Sequence, residues 1–329
     1  MNNSLIPGDV IKDRYKIKEI IGQGGMGSVF LADDSRLAGR LCALKTVHYE
    51  QNLPEDAIKQ TRDQFKREAT VLAMLDHPNL PKVSDFFSDK NIDYLVMDYV
   101  PGKDLRTLMQ EEKKKEKFLT ERVVLNWASQ IADALIYLHS QTPVILHRDI
   151  KPSNIKLTPN GIIKLVDFGL VKLLVSGEKT LTVVHGHGSA YYTPLEQYGG
   201  DTGHTDPRSD VYSFGSTLYH LLTNKAPLEA RKRFLESPEV QLISEINKGI
   251  SPRTERAIVL AMNVHPDKRI QSVEEFKEAL LGDWNPRQNP NGAMPAPNIW
   301  DLIKATEEQV LAWIALLMFM ISIVATLTK

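Results

Sequence analysis

Polar and apolar residues alternate in short runs over residues 14–49. The first run, YKIKEI at residues 15–20, has the period of two expected for a strand with one buried face. A longer apolar run at residues 94–100 ends in Pro101-Gly102 and predicts a buried strand leading into a turn. The first hundred residues are therefore expected to be rich in β-structure. One further strand is predicted later in the chain, at residues 162–166.

Helical periodicity dominates the rest of the chain, with one helix predicted earlier, at residues 57–75. Phe65, Ala69, Leu72 and Leu75 form the apolar side of that helix. Glu68 falls among these inward positions and needs a basic partner, because an unpaired buried charge is costly. A second strongly periodic helix is predicted at residues 121–140, and helical runs with apolar faces continue to residue 281.

The end of the chain has a different pattern. Residues 283–298 are rich in Asn, Pro and Gly, which predicts a linker, and residues 300–309 predict a short charged helix. Residues 310–327 carry no charge. As a helix these residues would span about 27 Å, close to the roughly 30 Å hydrocarbon core of a bilayer. We expect a transmembrane helix there, and the alternative is a hydrophobic helix that mediates dimerisation.

Composition narrows the class of protein. Hydrophobic residues make up 42% of the 329 residues and charged residues 25%, which allows a large folded core. The net charge of -1 argues against a nucleic-acid partner held by phosphate contacts. The single cysteine, Cys42, excludes an intrachain disulfide framework. No apolar signal sequence is recognisable in the first nine residues.

Two motifs carry the candidate chemistry: HRDIKPSN at residues 147–154 and DFG at residues 167–169. They resemble the catalytic loop and the metal-binding loop of eukaryotic-type protein kinases, in the form found in bacterial Hanks-type Ser/Thr kinases. The resemblance implies that Asp149 orients the attacking hydroxyl and accepts its proton. It implies that Lys151 lies near the transferring phosphoryl group, and that Asn154 and Asp167 hold magnesium.

The glycine-rich sequence GQGGMGSV at residues 22–29 is weak evidence alone, since dinucleotide-binding folds use similar loops. Here a β-type run follows instead of a helix, which is the kinase arrangement, and no Walker-type G-K-[ST] is present. Lys45 in the run LCALK resembles the lysine that grips the nucleotide phosphates, with Glu68 as its expected partner. The residues implied in nucleotide binding are Ile21, Gly22, Gly24, Gly25, Gly27, Val29, Ala43, Lys45, Met97 as the gatekeeper, and the backbone groups of Asp98 and Val100.

Residues 171–192 resemble an activation segment. Thr180 and Thr182 are the candidate phosphorylation sites, and phosphate there could pair with Arg148. The resemblance assigns supporting roles to further residues. Leu72 packs towards Phe168 and His147, Ser189 bonds Asp149 and Lys151, Glu196 pairs with Arg269, and Asp210 holds the backbone of the catalytic loop. The triplet at residues 194–196 is PLE, where the family usually has APE.

The sequence therefore predicts an α+β chain with a two-lobed protein kinase fold: a small β-rich lobe with one main helix, a larger helical lobe, and a C-terminal transmembrane helix. The expected boundaries are an N-terminal tail at 1–13, the small lobe at 14–97, a hinge at 98–104, the large lobe at 105–282, a linker and juxtamembrane segment at 283–309, and the membrane helix at 310–327.

The implied activity is phosphorylation of Ser or Thr in protein substrates, with ATP and Mg²⁺, or Mn²⁺ as an alternative ion. Because ATP is required and only Thr328-Lys329 follow the apolar segment, we expect a tail-anchored signalling kinase in the cell membrane, with its kinase domain in the cytoplasm. A homodimer is left open. Two alternatives remain: a pseudokinase-like scaffold that binds without turnover, and a small-molecule kinase of the same fold.

Overall fold

The computed structural model describes residues 5–24, 27–47, 55–89, 92–167, 189–198, 205–236, 240–286, 288–289 and 294. Within these residues the chain forms a small lobe built on a sheet and a large lobe built mainly from helices. This two-lobed α+β architecture is the one that the sequence predicts.

The small lobe contains a six-stranded antiparallel sheet with the strand order β1-β2-β3-β4-β6-β5. Tyr15 and Ile17 of the alternating run are buried while the lysines between and after them are exposed. Tyr15, Phe87 and Tyr94 stack on one face of the sheet. The strands are β1 Val10–Ile11, β2 Tyr15–Gly24, β3 Gly27–Asp34, β4 Leu41–Val47, β5 Val83–Asp89 and β6 Ile92–Asp98.

One helix, α1, covers the small lobe over Glu55–Met74. Phe65, Ala69 and Leu72 are buried as predicted, and α1 packs chiefly on β5. The loop after α1 is attached to the large lobe. Asn79 Nδ2 donates to the carbonyl of Ile163 (2.7 Å), and the Leu165 N–H donates to the carbonyl of Asn79 (2.8 Å).

The large lobe is helical around a small sheet of order β7-β8-β9. Four of its helices begin at a side-chain cap: Asp104, Asp206, Ser251 and Ser272 each accept a backbone N–H from the first turn. The strands are β7 Lys103–Asp104, β8 Ile155–Leu157 and β9 Ile163–Leu165. The helices are α2 Leu105–Lys114, α3 Glu121–His139, α4 Pro207–Thr223, α5 Ala230–Glu236, α6 Ile243–Ile246, α7 Pro252–Ala261 and α8 Val273–Leu281.

The folded region extends past both predicted ends. Ile11, which the sequence assigns to an N-terminal tail, is buried in β1, and the Gly8 N–H donates to the carbonyl of Ile17 (2.9 Å). Beyond residue 282, where the linker is predicted to begin, Trp284 and Pro286 are buried. Between the lobes, β6 ends at Asp98 and β7 begins at Lys103, so residues 99–102 form the connection.

Gly102 lies at that connection with φ +103°, and a Cβ there would come within 2.1 Å of the Leu157 carbonyl oxygen. Glycine is therefore required by both conformation and space. Within the described part of the chain, no helix combines the length and the apolar character needed to cross a bilayer. The span predicted at 310–327 lies outside those residues.

Candidate active site

The catalytic loop is attached to α4 through Asp210. The carboxylate of Asp210 accepts the backbone N–H of His147 (2.9 Å) and of Arg148 (2.8 Å), which is the arrangement expected from the sequence. Burial would raise the pKa of Asp210, but hydrogen bonds from His139 and the His147 N–H hold that pKa below its usual range. An ionised carboxylate thus fixes the loop from beneath.

His139 is a site residue that the sequence analysis missed. Its Nε2 donates to Asp210 Oδ2 (2.9 Å), and both side chains are almost fully buried. His139 is the last residue of α3, where a helical pattern ordinarily ends in a basic residue that complements the helix dipole. Because the local pattern already explained a basic residue there, it did not indicate the contact with Asp210, which lies 71 positions away.

Two residues of the motifs hold a left-handed backbone conformation. Arg148 has φ +63° and Asp167 has φ +59°, although neither is glycine. Such conformations cost roughly 1–3 kcal/mol each and persist where the surroundings impose them. The two hydrogen bonds to Asp210 supply that constraint for Arg148.

Asp149, Lys151 and Asn154 form one hydrogen-bonded cluster. Lys151 Nζ lies 2.9 and 2.7 Å from the two carboxylate oxygens of Asp149. Asn154 Nδ2 donates to Asp149 Oδ2 (2.8 Å) and to the Asp149 carbonyl (2.9 Å). Lys151 Nζ also donates to Ser189 Oγ (2.9 Å), so it links the carboxylate to the end of the predicted activation segment.

Asp167 lies beside this cluster because the Val166 N–H donates to the Asn154 carbonyl (2.8 Å). Its carboxylate forms an ion pair with Lys45 from β4. Burial would raise the pKa of Asp167, but the neighbouring Lys45 ammonium outweighs this effect and keeps the pKa low. Asp167 is therefore a carboxylate at neutral pH.

These groups fit a magnesium ion. With its amide nitrogen donating to Asp149, Asn154 presents its amide oxygen, and Asp167 adds carboxylate oxygens. Magnesium prefers oxygen ligands and is commonly held by one or two protein groups together with phosphates. Among the described residues, no group of three or more His, Cys, Asp or Glu could hold a metal by itself.

The other half of the cleft comes from the small lobe. Val29 of β3 lies opposite Gly22 on one side and opposite Lys45 on the other, and Ala43 lies opposite Met97 at the hinge end. A Cβ at Gly27, where φ is +155°, would come within 1.9 Å of the Thr46 carbonyl oxygen. β3 therefore needs glycine at this position for its close approach to β4.

The backbone of Asp98, the last residue of β6, is held at the hinge because its N–H donates to the Lys82 carbonyl (2.9 Å). Val100, buried within the connection, follows two residues later. Ile21, which precedes Gly22 in β2, is 40% exposed.

Glu68 and Leu72 lie next to Lys45. All three line a small cavity under β4 that Val47, Phe65, Ala69 and Leu95 complete. Glu68 is buried, as its position in the helical pattern predicts. α1 therefore brings the carboxylate to the side of the cleft where Lys45 lies.

Arg148 is partly buried beside Thr205. Its Nη2 donates to Thr205 Oγ1 (2.5 Å), whereas Nε and Nη1 are buried and have no hydrogen-bond partner among the described residues. Burial lowers the pKa of this guanidinium. Two unfilled donors on a buried cation are costly, and an anion would satisfy them.

Glu196 and Arg269 form the expected pair below the activation segment. Arg269 Nη1 lies 2.8 Å from Glu196 Oε1, and the Arg269 side chain is fully buried. Ser209 Oγ donates to the same carboxylate oxygen (2.9 Å), and the guanidinium stacks on Tyr212. Leu195, the unusual residue of the triplet, begins a short turn over Leu195–Gln197 and packs against the core. The substitution leaves the Glu196 contacts in place.

Four of the predicted site residues lie outside the described part of the chain: Gly25, Phe168, Thr180 and Thr182. The remaining ones converge on the cleft and the surface beneath it. The residues predicted to act in catalysis, metal binding and phosphate binding are therefore close together, and their roles stay predictions.

Comparison with known proteins gives the same family. The protein kinase domain model matches residues 15–284. A probable serine/threonine-protein kinase of Clostridium acetobutylicum is 36% identical over 280 residues, covering 83% of this chain and 40% of that protein. The serine/threonine-protein kinase PrkC of Bacillus subtilis is 31% identical over 282 residues, covering 83% and 41% respectively. The chain therefore matches only about two fifths of the length of these relatives.

Solved structures agree with the fold. The kinase domain of Mycobacterium tuberculosis PknI has a TM-score of 0.63 and 26% identity, over 84% of this chain and 98% of that one. The apo form of PpkA-294 has a TM-score of 0.65 and 25% identity, over 85% of this chain and 100% of that one. The domain match, these relatives and the converging motif residues together identify the chain as a member of the protein kinase family.

Proposed function

We propose that this protein transfers the γ-phosphoryl group of ATP to Ser or Thr hydroxyls of protein substrates. The observation that carries the proposal is the single cleft in which Asp149, Lys151, Asn154, Asp167 and Lys45 meet. Phosphoryl transfer depends mainly on positioning and on charge stabilisation, and this cluster provides both.

Each residue has a distinct task in this mechanism. Asp149 accepts the hydroxyl proton as the oxygen attacks phosphorus, and Lys151 stabilises negative charge on the transferring group. Asn154 and Asp167 hold the metal, which when bound neutralises the phosphate oxygens and orients them. Lys45 is paired with Asp167 in the structure, and it would grip the phosphates of bound nucleotide.

Two other functions are less well supported. A pseudokinase-like scaffold would be expected to lack one of the ionic residues of the cleft, and here all are present and in contact. A small-molecule kinase of the same fold would not need the link from Lys151 to Ser189 or the buried Glu196–Arg269 pair, which brace a surface suited to a peptide.

The test is phosphorylation by the 329-residue chain in detergent micelles, with magnesium, γ-labelled ATP and a generic protein substrate. We expect label on Ser or Thr, with loss of more than about a hundredfold in Asp167→Asn, because that variant lacks the charged metal ligand. Absence of label in the wild type despite nucleotide binding would favour the scaffold. Label on a metabolite panel but on no protein would favour the small-molecule kinase.

We further propose that phosphate on Thr180 or Thr182 activates the enzyme by binding Arg148. Arg148 Nε and Nη1 support this proposal, because neither has a partner within the described part of the chain and a phosphate dianion would pair with them. Phosphosite mapping of the labelled chain should find one of the two threonines. A Thr180→Ala/Thr182→Ala double variant with full activity would contradict the proposal.

We also propose that residues 310–327 anchor the protein in the cell membrane as a single-pass helix, with the kinase domain on the cytoplasmic side where ATP is available. The uncharged run of eighteen residues supports this. The full chain should float with phospholipid vesicles in a density gradient, and a chain ending at residue 309 should not. Dimerisation in detergent without flotation would favour the hydrophobic dimerising helix instead.

A further inference from the structure

The end of the large lobe that lies away from the cleft carries a group of lysines that the proposed mechanism does not use. α3 begins at this end with Glu121 and finishes at His139, which contacts Asp210 beneath the catalytic loop. Its nineteen residues give a helix about 28 Å long, so its two ends are far apart. We call this surface the basic end of the large lobe, and its exposed lysines are Lys113, Lys114, Lys115, Lys117, Lys225 and Lys248.

Hydrogen bonds hold together the three segments that carry these lysines. Lys113 Nζ donates to the Asn224 carbonyl (3.2 Å), and Asn224 Nδ2 donates to the Lys117 carbonyl (3.1 Å). The turn before α7 adjoins the same end of α4, because Asn247 Nδ2 donates to the Leu222 carbonyl (2.9 Å). The residues that directly follow Asn224 and Asn247 in the chain are lysines. The basic end is therefore one surface made from separate parts of the sequence.

The carboxylates near the basic end offset only part of its charge. Two of them are paired at 2.6 Å: Glu111 with Lys103, and Glu112 with Lys115. Glu121 is buried beneath the surface, where it accepts a hydrogen bond from Ser251 Oγ (2.6 Å). Glu116 is exposed among the lysines. The basic end therefore keeps an excess of positive charge.

An aromatic side chain and the C-terminal part of the fold lie at the same end. Phe118, between Lys117 and the start of α3, is 38% exposed. Trp284 packs on Arg122 in the first turn of α3, and Met294, further along the chain, packs against the hydrophobic core. The uncharged run at residues 310–327 begins sixteen residues after Met294, within at most about 55 Å even for an extended chain.

This combination suits the headgroup region of a bilayer. Exposed lysines are attracted to anionic lipid phosphates, and an apolar side chain among them can enter the boundary between headgroups and acyl chains. The length of α3 separates the basic end from the catalytic loop. A bilayer covering the basic end would therefore leave the cleft open to nucleotide and to a protein substrate.

We propose that the basic end of the large lobe is a membrane-docking surface that binds anionic phospholipid headgroups. The inference goes beyond the proposed function, because it orients the large lobe on the bilayer with the cleft facing away. It requires neither phosphoryl transfer nor insertion of residues 310–327.

The test compares the full chain on two kinds of vesicle, phosphatidylcholine alone and an equal mixture of phosphatidylcholine and phosphatidylglycerol. Lysines are acylated with an uncharged reagent and quantified by mass spectrometry. We expect the lysines of the basic end to be labelled about threefold less on the anionic vesicles, because headgroups cover them. Lys16 and Lys66, which are exposed in the small lobe, should be labelled equally on both. Salt at about 1 M should abolish the difference, because the Debye length falls to about 3 Å.

A charge-reversal variant and a matched control locate the effect. In Lys117→Glu/Lys225→Glu, the remaining lysines of the basic end should be labelled equally on the two kinds of vesicle. Lys16→Glu/Lys66→Glu makes the same change of charge in the small lobe and should keep the wild-type difference. Melting temperatures of both variants verify that each is folded.

Equal labelling of the wild-type basic end on the two kinds of vesicle would overturn the inference, and so would equal protection of Lys16 and Lys66. Flotation tests the proposed anchor separately. A chain that floats with anionic vesicles alone, with its basic end protected, would support the docking surface and contradict the anchor. A chain that floats with both kinds but shows no difference in labelling would overturn the inference alone. Protection by added duplex DNA but by neither kind of vesicle would overturn it in favour of a polyanion in solution.

Discussion

At the scale of single residues, the cleft depends on conformations and charges that are unfavourable by themselves. Arg148 and Asp167 have left-handed backbone conformations, Asp210 is a buried carboxylate, and two Arg148 donors lack partners among the residues that the structure describes. Each of these costs free energy unless neighbouring groups compensate. Asp210 receives such compensation from His139 and from two backbone N–H groups, which is why a buried charge there stabilises the loop.

A partly buried histidine of α4, His220, should make stability depend on pH. Tyr192 Oη lies within hydrogen-bond distance of His220 Nδ1 (2.6 Å), and burial lowers the pKa of His220 to about 4. The unfolded chain binds this proton near pH 6.5 and the folded chain does not until about pH 4. The stabilisation is therefore complete above pH 6.5 and decreases as the pH falls towards 4, by roughly 2–3 kcal/mol.

Urea unfolding of the wild type and of His220→Gln at pH 7.5, 6, 5 and 4.5 would measure this effect. Gln can still accept from Tyr192 but does not titrate, so the difference in unfolding free energy between the two proteins should shrink or reverse as the pH falls. Parallel pH profiles would show that His220 contributes no such dependence.

At the scale of elements, α4 connects the parts of the site. Its side chains from Ser209 to Tyr219 are buried, and several are polar. Asp210 holds the catalytic loop, Thr217 Oγ1 donates to the Ile150 carbonyl (3.1 Å), and Ser213 Oγ donates to the Tyr192 carbonyl (2.8 Å). Buried polar groups are tolerated when they are hydrogen-bonded, so these three contacts join α4 to the segments above it.

The Glu196–Arg269 ion pair should contribute strongly to the free energy of unfolding. Glu196→Gln leaves the Arg269 guanidinium fully buried without its carboxylate, and we expect the free energy of unfolding to fall by about 3 kcal/mol. Asp267→Asn is the control, since Asp267 pairs with Arg208 but is 94% exposed and should cost less than about 1 kcal/mol. Equal losses in urea unfolding would contradict the assigned importance of the buried pair.

At the scale of the whole molecule, two features join regions that are distant in the sequence. Asn79 bonds the loop after α1 to β9, so the small lobe is hydrogen-bonded to the large lobe behind the cleft as well as through the hinge. At the other end of the chain, Trp284 packs over Arg122 of α3 and its Nε1 donates to the Asn289 carbonyl (3.1 Å).

Trp284 should therefore belong to the folded unit. Trp284→Ala is expected to lower the free energy of unfolding of the full chain by about 3 kcal/mol, because it removes a large buried side chain. The exposed neighbour Asp283 provides the comparison, and Asp283→Ala should change stability by less than about 0.5 kcal/mol. A Trp284→Ala protein as stable as Asp283→Ala would place the residue in the linker.

Sequence motifs were sufficient to nominate Asp149, Lys151, Asn154, Asp167 and Lys45, because the chemistry of phosphoryl transfer restricts both residue type and spacing. They could not predict His139 or the Tyr192–His220 pair. Each of these depends on a partner tens of residues away, and each has an ordinary local explanation as a helix end or a core residue. The same limit applies to β1, whose two residues have no periodicity and are recognisable only once β2 lies beside them.

By itself, the sequence indicated the β-rich first part of the chain, the helices predicted at 57–75 and 121–140 and the candidate catalytic groups, because each depends on neighbours within a few residues or on a short motif. Only the tertiary structure decided which charges are compensated, which distant groups hold the catalytic loop and where the described fold ends. Those properties depend on burial and on contacts between distant segments, and no local pattern of residues encodes them uniquely.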